Sequence, residues 1–165
     1  MVYEGTPVSE GLGMGEIYCY RKIDLKPVPS RIAREEISDK LAEYEGLKEK
    51  VDAELEALIN RLQGSQPDKA MIFMAHREIL HDTAVDEKIR KEIMENFVNP
   101  AWAIYTVYEE FRQMLAGMKK QQFRERAQDV IDVRDRLLRA ARGIESPGLS
   151  SLPKPVIIAC HDLLP

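Results

Sequence analysis

The pattern of apolar and polar positions changes period twice along the chain. Glu16-Ile17-Tyr18-Cys19-Tyr20 is short, aromatic and set among breakers, with Gly5, Pro7, Gly11, Gly13 and Gly15 before it and Pro27 and Pro29 after it, which predicts a strand. From Ile32 to about Gly143 the spacing is helical. Ile37, Leu41, Tyr44, Val51, Leu55, Leu58 and Leu62 recur by threes and fours, missing one beat at Lys48, and predict a long amphipathic helix ending at Gly64. Pro67 opens a second helix, with Met71, Met74, Ala75, Ile79 and Leu80 facing inward. Asp82-Thr83 breaks it and caps a third, carrying Val85, Ile89, Ile93 and Phe97. Asn99-Pro100 starts a fourth, in which Tyr105, Tyr108, Phe111 and Leu115 recur and Gly117 weakens the end. A fifth, from about Gln121 to Arg142, buries Phe123, Ala127, Val130, Leu137 and Ala141 and stops at Gly143. After Ser146-Pro147-Gly148 the run Val156-Ile157-Ile158-Ala159-Cys160 reads as a strand buried on both faces.

Two strands enclosing a long helical stretch predict a mainly α protein, a helical-hairpin bundle inserted into an incomplete α/β domain. The expected divisions are 1–30 for the N-terminal strand region, 31–143 for the helical subdomain, and 144–165 for the linker and returning strand. Composition narrows the class. Charged residues make up 32% of the 165, and no run approaches the roughly 18 apolar residues of a membrane-spanning helix. The first residues show no basic stretch leading into an apolar core, so no secretory signal is expected. Cys19 and Cys160 lie far apart in sequence, so no disulfide framework is indicated and a cytoplasmic setting is expected. A net charge of −4 disfavours nucleic acid, but it is unevenly spread: residues 31–63 hold 6 basic and 9 acidic side chains, and residues 119–142 hold 8 and 4.

Residue chemistry alone defines no active site. Gly11-x-Gly13-x-Gly15 is followed by a strand, whereas a phosphate loop needs a helix start there, so it reads as a turn. His76 and His81 are five apart, about 140° around a helix, and cannot pair on one metal as an i, i+4 pair could. His76 reads either as a hydrogen-bonded histidine at the edge of the core or as a partner-facing group. His161, beside Asp162, has no evident nucleophile to serve. The serines show no nucleophile-elbow context. Arg124, Arg126, Arg134, Arg136, Arg139 and Arg142, interleaved with Glu125, Asp129, Asp132 and Asp135, are expected to pair along their helix and with its neighbours. An arginine left over suits a phosphate.

Four stretches taken together carry a family resemblance. Gly5-Thr6-Pro7-Val8-Ser9-Glu10-Gly11-Leu12-Gly13-Met14-Gly15, Phe73-Met74-Ala75-His76-Arg77-Glu78-Ile79-Leu80-His81-Asp82, the run from Glu125 to Arg136, and the run from Val156 to Pro165 resemble the Enzyme I family, the phosphoenolpyruvate–protein phosphotransferases of bacterial sugar uptake. The resemblance implies a helical subdomain, inserted into a swivelling phosphohistidine domain, that docks the phosphocarrier HPr. It also implies a histidine in a Gly-Gly-x-x-Ser-His motif, which takes phosphate from phosphoenolpyruvate held with magnesium on a separate C-terminal barrel, through which the intact enzyme dimerises. That motif does not occur in residues 1–165, so none of the three histidines is expected to be phosphorylated, and no cofactor or metal is expected on these residues. The positions matched to the HPr surface are Asp68, Ile79, Asp82, Val85, Leu115 and Arg126. Ile79, Val85 and Leu115 would form a shallow apolar patch, Asp68 and Asp82 would attract a basic rim on the carrier, and Arg126 would meet the phosphoryl group. His76 is left unassigned. Pro67 and Ala84 depart from the acidic residues the family pattern leads one to expect there. The alternatives are a stand-alone helical interaction module and a nitrogen-signalling relative that uses another carrier.

Overall fold

Tyr44, Val51, Leu55 and Ile59 form the buried stripe of the longest helix, and the beat missing from that stripe is filled electrostatically. Lys48 lies in line with them and reaches Asp86 at 2.5 Å, so its stem packs along the core while its ammonium is paired. The helix belongs to a computed structural model that describes Thr6 and residues 8–19, 23–144 and 154–160. Its elements are β1 (Glu16–Cys19), a 3₁₀ turn (Arg34–Glu36), α1 (Ile37–Leu62), α2 (Pro67–Leu80), α3 (Thr83–Glu95), α4 (Pro100–Ala116), α5 (Gln121–Ala141) and β2 (Val156–Ala159). The readings of Tyr20, His161 and Asp162 fall outside the described residues.

The helix ends follow their local chemistry. Asp82 accepts from Val85 N at 3.0 Å and Asn99 from Trp102 N at 2.8 Å, each side chain satisfying an amide that the first turn leaves free. At the end of α5, Gly143 takes φ +62°, and its amide and that of Ile144 return to the carbonyls of Ala140 and Arg139, both at 3.0 Å. The third helix is shorter than its periodicity suggests. It stops at Glu95, and Phe97 takes φ +53°, a conformation costly for any residue with a Cβ. The turn points the Phe97 carbonyl at Ile32 N (2.8 Å) and brings Asn99 N onto Ser30 O (3.1 Å), tying the segment before α1 to the α3–α4 junction. Leu25 is buried in the same core, and the compact helical unit spans Leu25–Glu145.

The core runs through all five helices. Two inward faces differ from the sequence reading. On α2 the buried residues are Ala70, Phe73, His76 and Leu80, whereas Met71 and Met74 are exposed. Residues 70–75 form one continuous apolar run, so periodicity leaves the phase open, and packing turns the Phe73 ring inward. On α4 the buried set is Pro100, Ala103, Ile104, Val107, Tyr108 and Leu115. Tyr105 is only half-buried, stacked on Trp102 and overlain by the Arg134 guanidinium at 5.2 Å.

β1 and β2 pair in parallel, Glu16 opposite Val156 through Cys19 opposite Ala159. The expected burial of the second strand on both faces is not found among the described residues: Val156 and Ile158 are half-buried and Ile157 is 40% exposed, in a sheet of two described strands. Cys19 thus stands opposite the residue before Cys160, and both thiols are free and exposed. Among the described residues, no helix is long and apolar enough to cross a membrane.

Candidate functional site

Asp68, Ile72, Ala75 and Ile79 fall within about 60° of one another around α2, at about 100° per residue. Asp68 is exposed in the first turn, where a carboxylate complements the helix dipole. Ile72 is 39% exposed, and Ile79 is half-buried against the core. This stripe borders the flank on which α2 meets α5.

The contact on that flank is His76 with Asp129, Nε2 to Oδ1 at 3.5 Å. His76 is only 2% exposed, and neither ring nitrogen has a hydrogen-bond partner among the described residues. It is therefore a buried histidine turned toward Asp129, not the partner-facing group that the sequence also allows. Burial holds its pKa below the ordinary value, against the opposing pull of Asp129 and Asp132. Burial raises the Asp132 carboxyl in turn, with His76 opposing. Phe73 packs edge-on to the imidazole at 5.8 Å, and the Arg136 guanidinium lies 5.5 Å over the Phe73 ring.

Arg126 sits three residues before Asp129, hence on the same face of α5. With Gln122, Phe123, Glu125 and Asp129 it lines an open cleft of about 600 Å³. Arg126 is exposed and has no ion pair among the described residues. The other arginines of α5 pair both along the helix and across to neighbours, as expected. Arg134 bridges Glu109 of α4 and Asp135, both at 2.9 Å, and Arg139 donates to the Asp135 carbonyl. Phe123, expected inside, is 36% exposed and forms an apolar wall of the cleft.

The remaining predicted positions separate. Asp82 is half-buried as the cap of α3. Val85 and Leu115 are each 6% exposed and belong to the interhelix core, so they do not form the apolar patch expected of them. Exposed apolar side chains on α2 are Met71, Ile72 and Met74, of which Ile72 shares the stripe of Asp68 and Ile79, and Phe123 is exposed beside Arg126. Their legible signal is apolar character at helix phases that the buried stripe leaves outside.

Comparison with known proteins places the chain. Residues 4–126 match the family described as PEP-utilising enzyme, N-terminal, and the chain belongs to that family. It is similar to the phosphoenolpyruvate-protein phosphotransferase of Mycoplasma capricolum, 31% identical over 98% of this chain and 28% of that protein. The Mycoplasma pneumoniae protein of the same name is 36% identical over 59% of the chain and 17% of its own length. The chain thus spans about 28% of the length of the Mycoplasma capricolum and Bacillus subtilis relatives. A solution structure of Enzyme I (nEIt) superposes with a TM-score of 0.78 at 24% identity, covering 92% of this chain and 61% of that one. The N-terminal domain of "Enzyme 1 - Nitrogen" gives 0.72 at 19%, covering 90% and 69%. At these identities the two structures establish a shared fold.

Proposed function

We propose that this chain is the carrier-docking portion of an Enzyme I-type phosphoenolpyruvate–protein phosphotransferase, receiving an HPr-like phosphocarrier on α2 and the first half of α5. The observation that carries the reading is the Asp68–Ile72–Ala75–Ile79 stripe, flanking the helix contact that leads to Arg126. Ile72, Ile79 and Phe123 supply apolar contact area, Asp68 and Asp82 attract a basic rim, and the Arg126 fork offers paired donors to a phosphoryl group in transit.

In the whole enzyme the phosphoryl group passes from phosphoenolpyruvate to a histidine outside residues 1–165, and then to the carrier. Positioning and charge stabilisation supply most of the rate in such transfers, and Arg126 contributes to both. Magnesium acts with phosphoenolpyruvate on a separate barrel, through which the enzyme dimerises, and no residue discussed above is assigned to it. The parallel pairing of β1 with β2 supports an α/β phosphohistidine domain into which the helices are inserted. The setting is the cytoplasm.

Calorimetric titration of the chain with HPr at low and moderate salt tests the reading. Saturable binding that weakens with salt and drops at least tenfold in Ile72→Asp supports it. Binding that is absent, or indifferent to both changes, overturns it. The 165-residue chain alone is expected to stay unlabelled by phosphoenolpyruvate.

A further inference from the structure

His76 presents a problem of satisfaction. A buried imidazole normally finds a partner for each nitrogen, because leaving a polar group dry and unpaired costs about 1–3 kcal/mol. Here both nitrogens lie in the interior without a hydrogen bond, and Nε2 is aimed at a carboxylate 3.5 Å away, beyond a good hydrogen bond.

The groups it faces come from one side of α5. Asp129 and Asp132 are three residues apart, so both project toward α2, and one ligand atom from each, with one from His76, lie within 4.8 Å of one another. Asp132 has a single long donor, Gln128 Nε2 at 3.4 Å, and Asp129 is about one-third exposed. Asp129 also lines the open cleft beside Arg126, so the triad connects to solvent through that carboxylate. Arg136 on the same helix opposes a cation, against two carboxylates that favour one.

We propose that His76, Asp129 and Asp132 form a binding site for one divalent transition-metal ion of the zinc type, with water from the cleft completing the coordination. One imidazole and two carboxylates are a recognised donor set for such an ion, at about 2.0–2.2 Å per ligand. Tetrahedral coordination at those lengths needs the donor atoms somewhat closer than 4.8 Å, which rotation of the two short aspartate side chains supplies. Magnesium and calcium fit less well, since both favour a full shell of oxygens. The ion would clamp α2 to α5 through an imidazole whose Nε2 otherwise has only the 3.5 Å contact to Asp129. Sequence spacing excludes a shared ion only for His76 with His81, and the triad arises across two helices.

The test is titration of the chelator-treated 165-residue chain with zinc chloride by calorimetry. Cobalt(II) absorption and the ring resonances of His76 give independent readouts. The expected result is one saturable equivalent, a visible cobalt spectrum, a shift of His76 rather than His81, and binding at least tenfold weaker in Asp129→Asn. That variant alters a partly exposed side chain, so it stays folded even where His76→Gln does not. His81→Gln should bind as the parent does, because the Asp52 carboxylate 2.7 Å from His81 Nε2 is already held by the Arg77 fork. Weak, non-stoichiometric uptake, or binding abolished by His81→Gln and retained by Asp129→Asn, would overturn the proposal.

Discussion

Arg77 of α2 donates two parallel hydrogen bonds to Asp52 of α1, Nε to Oδ1 at 2.7 Å and Nη2 to Oδ2 at 2.9 Å. The fork latches the first helical hairpin, and His81 adds a contact to the same carboxylate at 2.7 Å. The Arg77 hydrogen bonds, with His81 assisting, lower the Asp52 carboxyl from 3.8 to about 2, with partial burial opposing. A depressed carboxylate stabilises the fold above its ordinary pKa, and that contribution fades as pH falls through the folded value. Thermal unfolding should therefore lose stability from this latch between about pH 4 and pH 2. Asp52→Asn should lower the melting temperature at neutral pH and flatten that part of the acid limb. A variant whose melting curve tracks the parent at every pH would show that the latch contributes nothing.

Asp82 has two assignments that substitution separates. Asparagine caps a helix about as well as aspartate, whereas alanine does not, so Asp82→Ala should cost about 1 kcal/mol of stability and Asp82→Asn almost none. Both remove the charge offered to a basic carrier, so both should weaken docking to a similar degree. Urea unfolding and carrier titration on the two variants read the cap and the charge independently.

Leu115 packs in the interhelix core, so truncation to alanine removes buried contacts and leaves a cavity. The expected loss is about 2–5 kcal/mol, with carrier affinity preserved in the folded fraction. Affinity that falls while stability holds would return Leu115 to the docking surface.

Arg126 makes the opposite prediction. It has no ion pair among the described residues, so Arg126→Glu should leave stability within about 0.5 kcal/mol of the parent. It should weaken the complex with the phosphorylated carrier more than that with the unphosphorylated one. Equal weakening of the two would remove the phosphoryl-contact role and leave only a general charge effect.

Much of the fold is legible in the chain because local signals agree. Asp82, Asn99 and Gly143 each mark a helix end that their side-chain or backbone chemistry then forms. Periodicity carries the third helix on to Phe97, because the tertiary hydrogen bond from Ile32 N to the Phe97 carbonyl leaves no trace in the apolar spacing. The inward face of α2 was out of phase because a continuous apolar run fits several stripes, and only contact with α1 and α5 selects Phe73 and His76. At the candidate site, the motifs led to Asp68, Ile79 and Arg126 on exposed or half-buried ground. The same motifs gave Val85 and Leu115 surface roles that their burial does not support, since a motif match carries residue identity and not solvent exposure. The cluster of His76 with Asp129 and Asp132 was invisible, being assembled from helices more than fifty positions apart in the chain.

The most direct test of the docking claim is a heteronuclear NMR titration of the isotope-labelled chain with unlabelled HPr. Shifts are expected to concentrate on Asp68, Ile72, Ile79, Phe123 and Arg126, with Asp82 at the margin and Val85 and Leu115 moving only indirectly. Shifts confined to other helices, such as the exposed Lys88–Glu110 side of α3 and α4, or an unchanged spectrum from a folded sample, would contradict it.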